Sequence, residues 1–323
     1  MSFNKFIIFT DNDAAWSNAL SNITPKSYLN DASWANVMNA QGWNTLRFVC
    51  QEEHKIYYAV QVFYKKIIFN TVIVWVPDCN FSNKNINYLL KNTIKDYFNS
   101  NRIYLRVRSH DDFNASDHIN LLHNDWQKPR YPLGTGLTMV LDLQNPNFRI
   151  PGSFSKKWRQ SLKRSFEFDH QIVELTKKTD VLDLYSRFYS FKKYKNSYSL
   201  TNISQIMDAY HNDILILGVK NKFGKIIALR GVIIHHENCI DIFAATDPEA
   251  RNTYASYALF SALAARLMKI GIKQYDLNGI DPLNNAGVFL FKKGTGALNK
   301  VSLGEYEWST SIILTKLINF LRR

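Results

Sequence analysis

Two successive parts of the chain share one order of strand-like and helix-like patterns, and this repeated order limits the fold more than any other feature. In each half, runs with strand periodicity precede an amphipathic helical segment, which leads into a further strand-like run. These segments are 45–51, 55–67, 71–77, 85–100 and 102–109 in the first half, and 214–246, 256–271 and 273–278 in the second. The repetition predicts a duplicated, mixed α/β unit rather than one large sheet.

A break in the pattern separates the two halves. The strand-like run 137–143 closes the first half, and the next segment, 144–153, contains two prolines and has the composition of a linker. A chain of 323 residues is also longer than one small domain needs. We therefore predict two domains, at residues 1–147 and 148–323, each a mixed sheet flanked by helices.

The positive charge of the chain is concentrated in the second half. Residues 1–150 carry 15 Lys/Arg and 12 Asp/Glu, a net charge of +3, whereas the remaining residues carry 25 and 15, a net charge of +10. A basic domain favours a polyanionic partner such as tRNA, a nucleotide-linked substrate or an anionic lipid surface. A basic protein whose charge serves solubility alone is the open alternative.

The cysteines and histidines indicate neither a metal site nor a nucleophilic triad. Cys50, Cys79 and Cys239 are far apart and odd in number, which fits a reducing cytosol better than a disulfide framework. The histidines show neither HxH nor HExxH spacing. The N-terminal segment lacks the pattern of a signal peptide, and no run of about 18 apolar residues occurs. We expect a cytoplasmic protein without a metal.

A dense group of basic residues opens the second domain. On a helix, Trp158, Leu162 and Phe166 would share one face. The cations lie on other faces: Lys156, Arg159, Lys163 and Arg164. One interpretation is a helix that binds the phosphates of a nucleic acid. The other is an amphipathic helix with a solvated charged face.

The segment 251–256 follows a strand and opens a helix, where exposed amides attract phosphates. Acyl-CoA acetyltransferases of the GNAT superfamily have the pattern Arg/Gln-x-x-Gly-x-Gly/Ala at this place. Here Arg251 matches the first position of the pattern, and Asn252 and one further residue follow it. Tyr254 then stands where the first glycine is expected. The tyrosine lacks the conformational freedom of glycine and adds bulk, which argues against CoA binding.

A lysine pair follows the last strand-like run of the second half. Tyr275-Asp276-Leu277 has a buried pattern and leads into a loop with Gly279. We interpret the apolar run before Phe291-Lys292 as a strand that places a cation at the rim of the core. Gly294 and Gly296 would let the chain turn or let a substrate approach the backbone. The alternative is an edge strand protected from aggregation by its lysines.

The order of these motifs resembles that of the FemABX family of aminoacyltransferases over nearly the whole chain. The similar motifs are the opening helix that ends in Gly42-Trp43, the strands at 55–66 and 72–77, the closing strand 137–143, the basic helix at 156–165, the Asp-x-x-Gly strand end at 276–279 and the Phe-Lys-x-Gly motif at 291–294. The resemblance implies two tandem GNAT-like domains, with 1–147 on the acceptor side and the basic 148–323 on the donor side, where it would carry the catalytic residues. Members of the family transfer an amino acid from aminoacyl-tRNA to an amine of a peptidoglycan precursor, without CoA.

The resemblance also implies roles for particular residues. Phe291 and Lys292 fall on the family's Phe-Lys pair, where the resemblance implies a lysine beside the reacting ester. A fixed ammonium there would either stabilise the oxyanion or hold a phosphate of the tRNA end. Asp276 is the protein base to consider, although the leaving ribose needs none. The implied substrate loop contains Gly279, Gly294 and Gly296, and the implied donor-binding residues are Lys156, Arg159, Lys163, Arg164, Arg251, Asn252 and Tyr254.

The acceptor side departs from the family pattern. Family members that bind a nucleotide-linked precursor have a lysine just after the opening tryptophan, but Trp34 is followed by Ala35, Asn36 and Val37. Trp34 and Asn36 are the acceptor-binding candidates, and the acceptor is a peptidoglycan or other envelope glycan precursor.

Three functions stay open at the level of the sequence. The first is aminoacyl transfer from aminoacyl-tRNA, the second is transfer from acyl-CoA to an amino sugar, and the third is a non-catalytic module that binds RNA or a glycolipid. The C-terminal segment 309–323 bears on the third function and on peripheral contact with the inner face of the membrane, because it combines an apolar side with basic residues, as in an interfacial helix. The apolar side is Ile312, Leu314, Leu317, Ile318 and Leu321, and the basic residues are Lys316, Arg322 and Arg323. The alternative is a final helix packed on the second domain.

Overall fold

The computed structural model describes residues 5–23, 27–52, 55–81, 85–191 and 198–321. Its elements, in chain order, are β1 (Ile7–Ile8), α1 (Asp13–Ser21), α2 (Ala32–Ala40), β2 (Asn44–Glu52), β3 (Lys55–Ile67), β4 (Thr71–Val76), α3 (Ile86–Phe98), β5 (Ile103–Asp112), α4 (Ala115–His123), β6 (Leu137–Asp142), α5 (Lys156–Ser165) and β7 (Gln171–Glu174). There follow α6 (Lys178–Phe191), α7 (Leu200–Ala209), β8 (Ile214–Lys220), β9 (Ile226–His235), β10 (Asn238–Thr246), α8 (Pro248–Asn252), α9 (Ala255–Lys269), β11 (Gln274–Gly279), α10 (Ala286–Lys293), β12 (Leu298–Ser309) and α11 (Ile312–Leu321). The predicted mixed α/β class is confirmed.

The chain forms two compact units, and the first is made from two separate stretches of sequence. The first unit comprises Met1–Gly136 together with Val301–Arg323, and the second comprises Leu137–Lys300. The predicted ranges 1–147 and 148–323 differ from these units, because the chain returns to the first unit after residue 300. The assignment of acceptor and donor roles to the two ranges stays a prediction.

The sheet of the first unit has the order β1-β2-β3-β4-β5-β12. Neighbouring strands are antiparallel except β4 and β5, which are parallel and connected through α3. The stretch Tyr58–Phe63 of β3 is buried throughout, as expected for a strand with both faces of the sheet covered. Helix α3 covers one face of the sheet with its apolar stripe, which consists of Ile86, Leu90 and Ile94.

A buried ion pair joins β12 to β5 inside the first unit. Arg106 is only 1% exposed, and its Nε donates to Glu305 Oε2 over 2.7 Å. The other oxygen of Glu305 accepts from the backbone N–H groups of Leu133 and Gly134 at 2.9 and 3.0 Å. One carboxylate therefore connects β5, β12 and the loop before β6, and its several hydrogen bonds offset the cost of burying it.

The sheet of the second unit has the order β6-β11-β10-β9-β8-β7. Its strands are antiparallel except for the parallel pair of β10 and β11, which α8 and α9 connect. The predicted strands within 214–246 and the predicted helix at 256–271 are confirmed. The sequence of 180–194 also predicts a helix, which is present as α6, and residues 192–194 lie outside the described residues.

Helix α5 confirms the predicted basic helix but not the whole of its predicted apolar face. Trp158 and Leu162 are buried, and α5 packs against α9. Phe166 lies just beyond the last residue of α5 and is exposed, because the helix ends at Ser165. The predicted position of Phe166 on the apolar face is therefore wrong.

The apolar run before Lys292 is a helix, so its prediction as a strand is wrong. Phe289 N donates to Asn285 O over 3.1 Å and Gly294 N donates to Leu290 O over 3.0 Å, as in an α-helix. Lys292 is buried while Lys293, the next residue, is exposed. A short apolar run does not distinguish a strand from a helix by periodicity, and here only one side of the segment faces the core. The edge-strand interpretation fails with it.

The two glycines after α10 allow close packing against the start of α5. A Cβ at Gly294 would lie 2.6 Å from Trp158 Cδ1, and the Gly294 carbonyl accepts from Ser155 N over 2.8 Å. Gly296 has φ +81, and a Cβ there would lie 2.9 Å from the Ser153 carbonyl oxygen. Packing thus gives these glycines a structural role, and their role in a substrate loop stays a prediction.

The C-terminal helix belongs to the first unit, where it contacts β5. Ile318 is buried, and Asn319 Nδ2 donates to Glu307 Oε1 over 3.1 Å. The structure thus differs from the alternative that packed this helix on the second domain. Among the described residues, no helix has the length and apolar character needed to cross a bilayer.

Replacing the buried carboxylate that ties β12 to β5 will weaken the first unit strongly. We expect Glu305→Gln to lower the free energy of unfolding by about 3–5 kcal/mol, because Arg106 would keep a buried charge without its partner. Urea unfolding measures this loss. The matched control is Glu237→Gln, which removes an exposed pair with Lys273 and should cost about 1 kcal/mol or less. Equal effects of the two variants would contradict the assigned role.

The contact between α10 and α5 leads to a second stability prediction. Gly294→Ala should lower the free energy of unfolding by about 1–3 kcal/mol, because the added methyl group overlaps the Trp158 ring. Gly287 is the control, since it lies on the same helix with open space around it. There, alanine should leave stability unchanged or raise it by up to about 1 kcal/mol. Thermal unfolding of both variants provides the comparison, and a neutral Gly294→Ala would disprove the packing argument.

Candidate active site

Two parallel strands separate in the middle of the second unit. The register of β10 and β11 runs from Asn238 opposite Gln274 to Ile240 opposite Asp276 and ends there. Beyond this point β10 continues along β9, whereas β11 pairs with β6 through an irregularity between Asp276 and Gly279. Asn278 lies in this irregularity with φ 64, in the left-handed region. The separation exposes backbone groups that side chains can satisfy or a ligand can reach.

A buried cluster of charged and polar groups lies at the separation. Arg230 Nη1 donates to Asp241 Oδ2 over 2.7 Å, and the Tyr275 hydroxyl donates to Asp241 Oδ1 over 2.6 Å. Arg230 and Asp241 are both buried. Asn278 Nδ2 donates to the Asp241 carbonyl over 2.7 Å, so it takes the place of a strand partner. The cluster therefore links β10 and β11 at the point where they separate.

Lys292 joins this cluster from α10. It is 7% exposed, and its Nζ donates to the Gly279 carbonyl over 2.8 Å and to the Asn278 carbonyl over 3.3 Å. An ammonium has three N–H donors, and these contacts use two. Burial lowers the pKa of Lys292 from 10.5 to about 8, with Asp241 opposing the change and Arg230 adding to it. The group therefore titrates close to neutral pH.

The other groups of the cluster keep a mixed charge. Burial lowers the pKa of Arg230, but the neighbouring Asp241 carboxylate more than compensates, so the pKa rises and the guanidinium stays protonated. Burial raises the pKa of the Tyr275 hydroxyl well above its ordinary value, and the same carboxylate adds to this rise. Burial also raises the pKa of Asp241, against the effect of Arg230 and Lys292. Burial thus sets the direction of the pKa change for Asp241 and Tyr275, whereas the Asp241 carboxylate sets it for Arg230.

Asp276 holds the turn that follows β11. Its Oδ1 accepts from Asn278 N over 2.7 Å and from the Thr138 hydroxyl. The carboxylate is half-buried and raises the pKa of Lys292, so the two side chains are near each other. These contacts give Asp276 a structural role, and its role as a base stays a prediction.

Phe291 belongs to an aromatic wall beside the cluster. Its ring centroid lies 5.6 Å from that of Trp158 and 5.2 Å from that of Tyr257, and its carbonyl accepts from Trp158 Nε1 over 3.2 Å. The guanidinium of Arg230 lies 5.4 Å from the centroid of the same ring. Phe291 therefore connects α10, α5 and α9 with the buried cluster, and its predicted catalytic role is not tested by this packing.

The predicted donor-binding residues are exposed on the second unit, with the exception of Tyr254, which is half-buried. Those on α5 are Lys156, Arg159, Lys163 and Arg164, and those on α8 are Arg251 and Asn252. Arg159 Nη1 donates to the Gly152 carbonyl over 3.1 Å. Arg164 Nη1 donates to the Tyr254 hydroxyl over 3.0 Å. This last contact joins α5 to the loop before α9, so the structure brings two of the predicted donor residues together.

Tyr254 adopts a conformation that glycine usually supplies. Its φ is +54 at the N-cap of α9, and its side chain makes no cap hydrogen bond there. The ring lies against the Arg164 guanidinium, 5.7 Å from the centroid. The backbone at the expected glycine position therefore turns as a glycine would, at the cost of strain.

The acceptor candidates lie on α2 of the first unit. Trp34 is buried and packs edge-on against Tyr28, with ring centroids 5.5 Å apart. Among the described residues, Trp34 Nε1 has no hydrogen-bond partner. Asn36 is exposed. Binding of an acceptor by these two residues stays a prediction.

Sequence reasoning missed Arg230, Asp241 and Asn278. A signal was present, because Arg230 and Asp241 are single opposite charges in two otherwise apolar strands of one hairpin. Buried charges are paired in folded proteins, so the two could have been matched. In the described part of the chain, no three His, Cys, Asp or Glu side chains form a group that could hold a metal ion.

Comparisons with known proteins agree with this architecture. The FemAB family matches residues 218–323, the part of the chain that contains β9, β10, β11 and α10. The crystal structure of FemX superposes with a TM-score of 0.81 at 12% identity, covering 97% of this chain and 100% of that one. Curated protein sequences contain no match to the chain.

Two other solved structures share the fold at greater distance. L-PGS from Bacillus licheniformis has a TM-score of 0.54 at 12% identity, covering 81% of this chain and 85% of that one. A tandem GNAT protein from the clavulanic acid biosynthesis pathway has a TM-score of 0.56 at 10% identity, covering 95% and 98%. The match to the FemAB family thus covers the last third of the chain, and the chain as a whole shares the fold of FemX and of the tandem GNAT protein.

Proposed function

We propose that this protein transfers an aminoacyl group from aminoacyl-tRNA to an amine of a cell-wall or other envelope glycan precursor. The observation that carries the proposal is Lys292, a buried cation held at the separation of β10 and β11. It lies in the stretch matched by the FemAB family. A fixed positive charge in a dry site is suited to a reaction that develops negative charge on a carbonyl oxygen.

The reaction forms an amide and breaks an ester. The acceptor nitrogen attacks the carbonyl carbon of the aminoacyl ester, and the carbonyl oxygen becomes an oxyanion that the Lys292 ammonium stabilises. When the C–O bond breaks, the ribose oxygen leaves and takes the proton that the nitrogen loses, so charge and atoms balance. The neighbouring ribose hydroxyl can relay this proton, and Asp276 is the protein group that would do so otherwise.

The exposed cations of α5 support a nucleic acid as the donor. Lys156, Lys163 and Arg164 are spread along one helix, farther than a single pyrophosphate requires. Arg251 and Asn252 on α8 extend this basic surface beyond the Arg164–Tyr254 contact. A donor with several phosphates, such as tRNA, makes use of all of them. Two functions compete with this proposal. One is acyl transfer with acyl-CoA as the donor, and the other is binding of RNA or a glycolipid without catalysis.

The proposed surroundings follow from the proposed donor. Aminoacyl-tRNA is found in the cytoplasm, and the cysteines of the chain are free and buried, which suits a reducing compartment. The acceptor is a peptidoglycan or related envelope glycan precursor, with Trp34 and Asn36 as its candidate contacts. We include peripheral contact with the inner face of the membrane in the proposal, because envelope precursors are completed there. The chain's own side chains carry out the chemistry, without a cofactor or metal.

The donor and the lysine can be tested in one experiment. Charged tRNA or acetyl-CoA is incubated with the protein and an amine acceptor, and labelled amide is measured. We expect transfer from tRNA, and a decrease in kcat/KM of about 10²–10³-fold in Lys292→Met, the size of effect known for loss of one oxyanion donor. The control is Lys293→Met, which removes an exposed lysine from the same helix. It should keep the activity of the parent.

Transfer from acetyl-CoA alone would reject the proposed donor. Full activity of Lys292→Met would reject the proposed catalytic lysine. Binding of RNA without transfer from either donor would favour the non-catalytic module.

The lowered pKa of Lys292 predicts a pH dependence. The ammonium is the active form, so with an acceptor amine that is already neutral at pH 7, kcat/KM should fall as the pH rises through about 8. Lys292→Arg keeps its charge at higher pH and should shift the decline upward. The folded protein binds fewer protons than the unfolded chain between pH 8 and 10.5, so this group makes stability rise with pH there. A rate that is independent of pH in this range would contradict a cationic Lys292.

A further inference from the structure

The outer side of α11 is apolar, which packing within the protein does not explain. Ile318 points inward and is buried, and Leu314 and Thr315 are half-buried beside it. The opposite half of the helix consists of Ile312, Ile313, Lys316, Leu317, Phe320 and Leu321. Its five apolar members are between 53% and 75% exposed. A helix that only packed on its own sheet would turn polar residues toward water, so this face is built to meet something apolar.

The turn between β3 and β4 is a second exposed apolar feature of the same unit. Ile68 and Phe69 are 73% and 76% exposed, and Ile67 before them is exposed as well. Phe69 has φ 56 and Asn70 has φ 53, so two residues other than glycine hold left-handed conformations at this tip. Tight turns normally have polar residues and glycine. Here the strained backbone presents two large apolar side chains to the surroundings.

One loop holds both features at the same end of the first unit. The Ser100 hydroxyl donates to the Asn70 carbonyl over 2.7 Å, which ties the loop to the tip. The Thr310 hydroxyl, two residues before α11, donates to the Asn101 carbonyl over 2.8 Å. The tip and the start of the helix are thus anchored to adjacent residues, and we treat their exposed apolar side chains as one surface. We call it the apolar patch: Ile67, Ile68, Phe69, Ile312, Ile313, Leu317, Phe320 and Leu321.

Cations border the apolar patch. Lys66 precedes the tip and is exposed, and Lys316 lies among the apolar residues of α11. The Arg102 guanidinium lies 5.6 Å from the centroid of the Phe69 ring. An exposed acidic residue, Asp96, lies on α3, just before the loop that contains Ser100 and Asn101. Its neighbour Lys95 is exposed as well and carries the opposite charge. The balance around the patch is therefore positive.

Aliphatic side chains with a positive border match an anionic lipid surface. Apolar residues gain by entering the boundary between headgroups and acyl chains, and Lys or Arg gains by approaching anionic headgroups. RNA would leave the aliphatic groups without a partner. A second copy meeting the same surface around a twofold axis would bring the like charges of Lys66, Arg102 and Lys316 together, which is unfavourable.

We propose that the apolar patch inserts into the surface of a bilayer that contains anionic lipid. The inference deepens the proposed function, since it assigns residues to the membrane contact included there. The tip and α11 enter the interface side by side, and Lys66, Arg102 and Lys316 bind the headgroups around them. Neither feature belongs to the candidate active site, so binding does not require substrate.

Vesicle sedimentation tests the proposal with the whole chain and no substrate. Vesicles of phosphatidylcholine alone are compared with vesicles that also contain phosphatidylglycerol. We expect binding to the anionic vesicles, weaker binding at high salt, and weak binding to the neutral ones. Ile68→Ser with Phe69→Ser, and separately Ile313→Ser with Leu317→Ser, should each reduce the partition coefficient by about tenfold or more. All four side chains are exposed, so the variants should fold.

The matched control is Phe223→Ser with Leu283→Ser, which removes exposed apolar residues from the second unit. This control should bind vesicles as the parent does. Transfer to a soluble amine acceptor, measured in every variant, should stay unchanged, so failure of lipid binding and failure of the proposed reaction can be distinguished.

Each contrary result would overturn the proposal. These results are no binding by the parent, unchanged binding by both patch variants, and equal binding to neutral and anionic vesicles. A dimer of the parent in the absence of lipid that becomes a monomer in the patch variants would assign the patch to self-association instead.

Discussion

The separation of β10 and β11 is the constraint on which the second unit depends. Adjacent parallel strands normally satisfy each other's backbone, and strands that part must find other partners for these groups. Here side chains supply them: Asn278 bonds to the Asp241 carbonyl, and Lys292 bonds to the carbonyls of Asn278 and Gly279. The lysine is therefore held by the irregularity of the sheet. The feature that opens the sheet also fixes the cation proposed to act there.

The position of α10 explains why two neighbouring lysines differ so much. Successive residues of a helix point about 100° apart, so Lys292 faces the cluster while Lys293 faces outward, above the Phe289 ring. Gly294 and Gly296 then let the end of the helix approach α5 closely enough to bury the first lysine. Burial lowers the pKa of Lys292. Lys293 is exposed. The lowered pKa of Lys292 thus depends on three features: the direction of its side chain on α10, the close packing of α10 on α5, and the separation of β10 and β11.

Local patterns predicted most of the elements, and long-range contacts account for the errors. The alternation in β3 and the helical spacing in α3 and α9 depend on neighbours in sequence, and all three were predicted. The apolar run before Lys292 was misassigned because an apolar run this short fits either a strand or a helix. The predicted site included Lys292 and Asp276 but missed Arg230 and Asp241, whose pairing arises only when β9 and β10 align. The return of β12 to the first unit could not be predicted from adjacent residues, because it spans nearly 200 positions of sequence.

That return has a consequence for the synthesis of the chain. The first unit begins at the N-terminus but requires β12 and α11, including the carboxylate of Glu305 that pairs with Arg106. A ribosome synthesises these residues only after the whole of the contiguous second unit. The unit whose synthesis begins first is thus the one completed last. Until Glu305 has been synthesised, Arg106 has no carboxylate from β12 to pair with. No single cut in the gene would therefore yield an intact first unit.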